Sequence, residues 1–468
     1  MQSPSQLLLQ KFPFEPTEGQ FRLFQYLDIF LLDKENEYQA FLLRGYAGTG
    51  KTTVLSRLVK IASRFNYRAH MMAPTGRAAK VMSSYSQRNA FTIHKTIYQQ
   101  TADSYTGLLS FKRQKNYYKN TLFIVDEASM VQNEPDNMGN GLLRDLVAFV
   151  FEDSSNKLLI VGDSAQLPPV NQNISPALDA NYLRDTFGLN LLEHELTEVV
   201  RQQQESGILR NATMLRQHIN RRDFNIEFQT KGYRDIFKMS GDRLPDGLEY
   251  AYSKYGHENV AIICRSNKQA VQYNKFIRTS ILGRESELDA GDLIMIVRNN
   301  YTWLDETAPA GFLANGDFAE VLRVRQIEEM HGFRFATLRL RLLDYPDQEP
   351  FEAKVLLDTL HSEQPNLSQA DNRLLYESVC ADYSDVENKR SRNEQIRIDP
   401  YLNALQVKFA YALTCHKSQG GQWKAVFVEQ GYLNDDMINV EFLRWLYTAI
   451  TRAESELFLM NFAERFFK

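Results

Sequence analysis

The sequence predicts an α/β chain, and three observations carry that prediction. The stretch Gly45 to Thr53, GYAGTGKTT, follows the apolar run Ala40-Phe41-Leu42-Leu43 and precedes Val54-Leu55-Ser56-Arg57-Leu58-Val59, an order that reads strand, loop, helix. The runs Thr121 to Val125 and Lys157 to Val161 are apolar without alternation, as strands buried on both faces are, and each delivers polar residues at its carboxyl end. From about Gly283 to Asn393 the pattern changes to short strand-like segments with turn residues, the mark of a β-rich insert.

Composition sets the outer bounds. A chain of 468 residues suggests about three domains near 150 residues each, and 43% hydrophobic with 24% charged residues suits several packed cores. No apolar run approaches the roughly 18 residues of a membrane span. Leu7-Leu8-Leu9 is too short for a signal-peptide core, so a cytoplasmic protein without a membrane partner is expected. Cys264, Cys380 and Cys415 are too scattered for a disulfide framework or a zinc site. A formal net charge of −4 excludes a general basic field, so any nucleic-acid binding has to come from local grooves.

Thr17-Glu18-Gly19-Gln20 opens an apolar repeat at Phe21, Phe24, Leu27 and Leu31, which predicts an amphipathic helix capped by Thr17. Gln20, in its first turn, offers the donor and acceptor that suit the N6 and N7 edge of adenine, a capacity it shares with any surface glutamine. The stretch that follows matches G-x-x-x-x-G-K followed by Ser or Thr. In such a P-loop Gly45, Gly48 and Gly50 allow backbone N–H groups from Ala47 and Thr49 through Thr53 to close around phosphates on the helix N-terminus. Lys51 adds a mobile positive charge, and the Thr52 hydroxyl is a hard oxygen ligand of the kind Mg²⁺ accepts. A nucleoside triphosphate with its metal is the expected guest.

Arg68 to Ala73 reads as a second strand, ending in Pro74-Thr75-Gly76-Arg77-Ala78-Ala79. Hydroxyl, backbone N–H and Arg suit a phosphodiester, although a plain strand-to-helix turn has the same composition. Phe91-Thr92-Ile93-His94-Lys95 follows, then a polar excursion from Gln99 to Asn120 with a turn at Thr106-Gly107. Its Phe111, Lys112, Arg113, Tyr117 and Tyr118 mix charge with rings, as single-strand binders do and as solvated loops also can. The buried strand Thr121 to Val125 delivers Asp126 and Glu127, one suited to Mg²⁺ and the other to orienting an attacking water. The run to Val161 leads into Gly162 to Val170, where Gln166 can contact a γ-phosphate and that water.

The segment Arg216 to Gly256 reads as a polar linker and outer layer before a strand at Val260 to Cys264. Leu293 to Val297, Phe318 to Val324 and Phe333 to Leu342 read as strands of the insert, with Asn315-Gly316 as a turn. Asp344 to Asn393 has no evident pattern. Leu405 to Ala412 and Ala425 to Val428 read as strands, and a helix passes through Leu443 and Leu446.

Taken together, GYAGTGKTT, APTGRAAKVM, FTIHK, IVDEAS, VGDSAQLPPV, VVRQ, ALTCHKSQGGQW and YTAITRA stand in the order of the superfamily 1 helicases, and their wording resembles the RecD-like and Dda-like branch. The resemblance runs from Gln20 to Arg452. It implies two RecA-like P-loop motor domains with parallel sheets, the first over 1–205 with a pin-like excursion at about 96–119, the second over 206–285 and 394–468. GDLIMIVRNNY and NGDFAEV resemble the small SH3-like barrel of that branch, which places an insert over 286–393.

For the site, the resemblance implies ATP between the motor domains, with Mg²⁺ on Thr52 and Asp126. Lys51, Glu127 and Gln166 would act from the first domain, with Arg201 and Arg452 as arginine fingers. Gln20, Gly420 and Gln422 would also hold the nucleotide, although relatives usually place a carboxylate near Gln422 to contact the ribose. Single-stranded DNA would meet Pro74, Thr75, Gly76, Arg77, His94 and Lys95 on one side, and Thr414, His416, Lys417 and Ser418 on the other. Phe111 in the pin-like excursion is the candidate for strand separation. The implied activity is unwinding of tailed duplex DNA by a monomer moving 5′ to 3′. An RNA-directed or protein-displacing translocase, or a nucleotide-gated clamp that does not travel, would share most of these motifs; DNA against RNA effectors and a translocation assay separate them.

Overall fold

The structure, a computed structural model, describes residues 2–102, 109–134, 141–200, 205–305 and 308–467. The first lobe is a six-stranded parallel sheet in the order Ala90–Thr92, Arg68–Ala73, Thr121–Val125, Lys157–Gly162, Gln39–Gly45, Asn190–Leu196. Its strands are apolar throughout because both faces are covered. Phe41 and Leu43 pack with helices Glu18–Leu32 and Lys51–Ile61 on one side, while Ala40 and Leu42 pack with helix Leu142–Val150 on the other. Thr17 caps the first of these helices in a reciprocal capping box with Gln20. Because Thr121–Val125, Lys157–Gly162 and Gln39–Gly45 are neighbours, their carboxyl ends bring Asp126, Asp163 and the P-loop to one edge.

The second lobe is a five-stranded parallel sheet in the order Ala412–Thr414, Val260–Cys264, Trp423–Glu429, Ala453–Met460, Ile236–Met239. The edge strand Ile236–Met239 and helix Leu244–Tyr255 lie within the segment expected to be a linker. Only Ile236 of that strand is buried, so an edge strand of four residues left almost no apolar signature.

The insert is a closed barrel of Leu293–Ile296, Phe318–Met330, Phe333–Leu342, Phe351–Leu356 and Leu405–Phe409. The strand expected over 405–412 is therefore two. Leu405–Phe409 closes the barrel and Ala412–Thr414 enters the motor sheet. Between them the Asn274 amide donates to the carbonyls of Phe409 and Ala412 and accepts from the N–H groups of Tyr411 and Ala412. The unpatterned segment after Asp344 holds a barrel strand and helices Gln369–Asp382 and Lys389–Ile398; Leu375 and Val379 pack against Phe335 and Leu356. The polar excursion is an antiparallel hairpin, Tyr98–Ala102 with Leu109–Arg113. Its Thr106-Gly107 turn lies outside the described residues.

The two lobes are packed together: Tyr46, Ala165 and Leu167 of the first belong to the apolar core of the second.

Candidate active site

The lobes enclose a cleft of about 1100 Å³. The first lobe lines it with Gln20, the P-loop, Asp126, Glu127, Asp163 and Gln166, the second with Gln422, Thr451, Arg452 and Glu454. Gly50 sits at φ 82°, and a Cβ there would stand 2.5 Å from Gln20 Nε2, so the loop's tight approach to the preceding helix requires glycine. Lys51 Nζ donates to the carbonyls of Gly45 and of Tyr46, the latter at 3.0 Å. Thr49 and Gly45 shape the loop and do not line the cleft: the Thr49 hydroxyl donates to Tyr46 O at 2.8 Å. Gln20 is buried, donates to Thr49 O at 2.9 Å and accepts from Thr17 N at 3.1 Å, which leaves one donor and one acceptor position on its amide.

Asp126 accepts from Tyr85 Oη at 2.9 Å and from Glu127 N at 2.9 Å. Burial, and next the Glu127 charge, push its carboxyl up to about 6. Asp126 and Thr52 line the same cleft, and a carboxylate with a hydroxyl is a hard-oxygen donor set that suits a divalent cation such as Mg²⁺. Glu127 takes a left-handed backbone at φ 54°, which costs a non-glycine residue about 1–2 kcal/mol. Asp163 is buried, which raises its pKa, and accepts from Tyr447 Oη of the second lobe at 2.6 Å. Gln166 is buried, with Ser129 Oγ at 3.5 Å from its Oε1.

Arg452 is 3% exposed, and its guanidinium donates to Thr448 O at 3.1 Å and to Gly421 O at 3.2 Å. It lines the same cleft as Lys51. Arg201 lies outside the described residues. The chain leading to it runs along the cleft, with Val200 N donating to Gly48 O at 3.0 Å. Gly420, expected at the nucleotide, does not line the cleft. It stands at φ 73° against Ala78 and Thr75 of the first lobe, a close approach that only a residue without Cβ allows.

Of the residues expected at a polynucleotide, Gly76, Arg77 and Lys95 lie away from the cleft, where the first lobe meets the barrel and the second lobe. Thr75 caps helix Gly76–Ser86, and Asp317 of the barrel presses on Gly76 where a Cβ would be. Asp317 is fully buried, burial raises its pKa well above the usual range, and its Oδ1 has no hydrogen-bond partner among the described residues. Arg77 stacks between Phe318 at 4.4 Å and Trp423 at 4.1 Å and donates to Gln422 O at 3.2 Å. Lys95 Nζ abuts Gly311, Lys80 Nζ donates to Leu343 O at 2.7 Å, and the His94 ring lies 5.7 Å from Tyr98. On the second lobe Ser418 is buried with its hydroxyl on Cys415 O at 2.7 Å, whereas Thr414, His416 and Lys417 are partly exposed. Burial, then Lys408, lowers Lys417 to about 8. Phe111 pairs with Gln100 in the hairpin, and its side chain lies outside the described residues.

Sequence reasoning passed over Asp163, Tyr447, Thr451 and Glu454. A tyrosine and a threonine directly ahead of the arginine turn, on an otherwise apolar helix face, were the available signal for Tyr447 and its neighbour Thr448.

A P-loop lobe and a second parallel α/β lobe that face one cleft define a two-lobed P-loop ATPase. Residues 33–229 match the AAA domain family and residues 409–460 match the UvrD-like helicase C-terminal domain family. The chain is 30% identical over 185 residues to the ATP-dependent RecD2 DNA helicase of Deinococcus radiodurans, covering 39% of this chain and 22% of that protein. It is 20% identical over 448 residues to the RecBCD enzyme subunit RecD of Buchnera aphidicola, covering 89% of this chain and 69% of that one. A solved Pif1 helicase from Bacteroides aligns at 16% identity over 97% of this chain and 95% of that one, with a TM-score of 0.47. The chain is thus similar to helicases in two separate stretches, its P-loop lobe and the carboxyl-terminal part of its second lobe.

Among the described residues no helix is long and apolar enough to cross a membrane.

Proposed function

We propose that this chain is an ATP-driven DNA helicase that moves 5′ to 3′ along a single strand and unwinds a tailed duplex. The observation that carries the reading is the shared cleft: the phosphate cradle comes from one lobe and Arg452 from the other. Lys51 and the P-loop N–H groups from Gly50 to Thr53 would bind the phosphates, the Ala47 and Thr49 N–H groups expected there being taken by Tyr447 Oη and Tyr46 O, and Gln20 would meet the base with its remaining donor and acceptor. Glu127 would hold and deprotonate the attacking water, with Gln166 orienting it. Thr52 and Asp126 would hold Mg²⁺, which neutralises phosphate charge when bound. Arg452, and Arg201 on the described chain's continuation, would stabilise charge on the transferred phosphoryl, so hydrolysis needs both lobes seated. Arg452, here paired with two carbonyls, would exchange these neutral acceptors for phosphate oxygens.

A strand would cross the two lobes, gripped in turn by the loop from Pro74 to Arg77 with His94 and Lys95, and by the loop from Thr414 to Lys417. Contacts to phosphates predict weak sequence preference and strong salt dependence. The hairpin Tyr98–Ala102 with Leu109–Arg113, carrying Phe111, would split the duplex. The unit at work would be the monomer. Unwinding assays on duplexes with a 5′ or a 3′ tail test the reading directly. Opening of the 5′-tailed duplex alone is expected; equal opening of both, or neither, overturns it. Shortening the hairpin should abolish unwinding and leave DNA-stimulated hydrolysis in place.

A further inference from the structure

Tyr447 lies on helix Val440–Ile450 of the second lobe, is 1% exposed, and reaches across into the first lobe. Its oxygen stands 2.8 Å from Ala47 N in the P-loop and 2.6 Å from Asp163 Oδ2. A phenol carries one proton, so the directions are set: Ala47 N–H donates to the phenol oxygen, and the phenol donates to the carboxylate. The bond to the carboxylate is short, as charge-assisted bonds are. The other Asp163 oxygen accepts from Ala165 N at 2.9 Å, so this carboxylate ties Tyr447 to the loop that carries Gln166.

The far end of that loop is held from the second lobe as well. Leu167 N donates to Thr448 Oγ1 at 2.9 Å, and Gln419 Nε2 donates to Leu167 O at 2.8 Å. Gln166 therefore sits between two anchor points, Asp163 and Leu167, that both depend on second-lobe side chains. Tyr447 is the one of these that also touches the P-loop.

We infer that Tyr447 is a positioning residue: its hydroxyl sets Gln166 and the P-loop in register only when the second lobe is seated. The inference rests on the reading of the cleft as an ATP-hydrolysing site and adds a residue that reports lobe seating to the chemistry without touching the nucleotide. Removing the hydroxyl leaves the ring in its apolar surroundings but strips Asp163 of its strongest donor and leaves Ala47 N–H unpaired.

The test is steady-state ATP hydrolysis by Tyr447→Phe, with and without single-stranded DNA, in the parent and in a Gln166→Ala background. The expected result is a fall in kcat of about 10–100-fold, the size of a lost hydrogen bond to a charged group. KM for ATP should stay within about two-fold, since the substitution removes no expected nucleotide contact. In the Gln166→Ala background the further loss should shrink to less than about three-fold, because the two side chains act as one unit. Asp163→Asn, which keeps the shape of the acceptor and removes its charge, should reproduce the loss. A kcat within two-fold of the parent, or an equal loss in both backgrounds, overturns the inference. Absence of stimulation by DNA in the parent would count against the motor reading alone, since the Tyr447–Gln166 coupling is still read on unstimulated hydrolysis. A parent that hydrolyses no ATP overturns both.

Discussion

The cleft and the proposed polynucleotide face were equally legible as motifs, yet the fold treats them in opposite ways. In the cleft the P-loop, Asp126, Glu127, Gln166 and Arg452 all line one volume, and their positions follow from neighbouring strands of one sheet and one helix of the other. On the proposed polynucleotide face the first-lobe residues are packed against the barrel and the second lobe. Arg77 is sandwiched by Phe318 and Trp423, Gly76 is pressed by Asp317, and Lys95 abuts Gly311. The cleft is built to receive a ligand between rigid elements. The face is built around contacts that a strand would have to share or displace, and an Arg held by two rings is a ready donor for a phosphate once those contacts loosen.

The comparison can be broken or sharpened by substitution, beginning where the expected effect is largest. Glu127→Gln should lower turnover about 10²–10⁴-fold while ATP and DNA binding persist; residual hydrolysis near the parent's would remove Glu127 as the base. Arg452→Ala should lower DNA-stimulated hydrolysis about 10³-fold, with single-strand affinity in the absence of nucleotide little changed. Gly50→Ala introduces a side chain at φ 82° against Gln20, and ATP binding measured by calorimetry should weaken on the order of 10–100-fold.

On the face the effects should be smaller and of another kind. Arg77→Ala removes two ring contacts worth about 0.5–2 kcal/mol each, so amide exchange over 311–318 should quicken and single-strand affinity fall several-fold. Its hydrolysis without DNA should stay within about two-fold of the parent. Gly76→Ala places a methyl against Asp317 and 2.7 Å from Tyr345 Oη, and should raise exchange in the same barrel segment with a smaller effect on affinity. Were Arg77→Ala to silence hydrolysis as Arg452→Ala does, cleft and face would be one unit and the contrast would fail.

How much was legible depended on the kind of signal. Long buried strands such as Thr121–Val125 and Lys157–Gly162 announce themselves because both their faces must be apolar. The edge strand Ile236–Met239 did not, since a four-residue strand with one buried side chain looks like a linker. Leu405 to Ala412 was read as one strand because nothing local marks the passage from barrel to motor sheet; Asn274, more than 130 residues upstream, makes the turn. Gly420 carried a motif expectation but meets Thr75 and Ala78, and Gln20 carried an adenine expectation while half its amide is spent on Thr17 and Thr49. Helix Lys389–Ile398 is so polar that its packing through Ile396 alone left no stripe to find.

The sequence by itself determined the chemistry of the cleft, because a P-loop, a strand ending in Asp126-Glu127 and a loop bearing Gln166 each need only local order to be formed and recognised. It also marked a β-rich insert, since hydrophobic periodicity is a short-range property, while the two α/β lobes were implied by the order of the motifs. Only the tertiary structure decided which lobe residues meet across the cleft, that Tyr447 bridges Ala47 and Asp163, and that the barrel rests on Gly76 and Arg77. Those contacts join residues hundreds of positions apart, and no local pattern encodes the distance between two surfaces that the packed cores bring together.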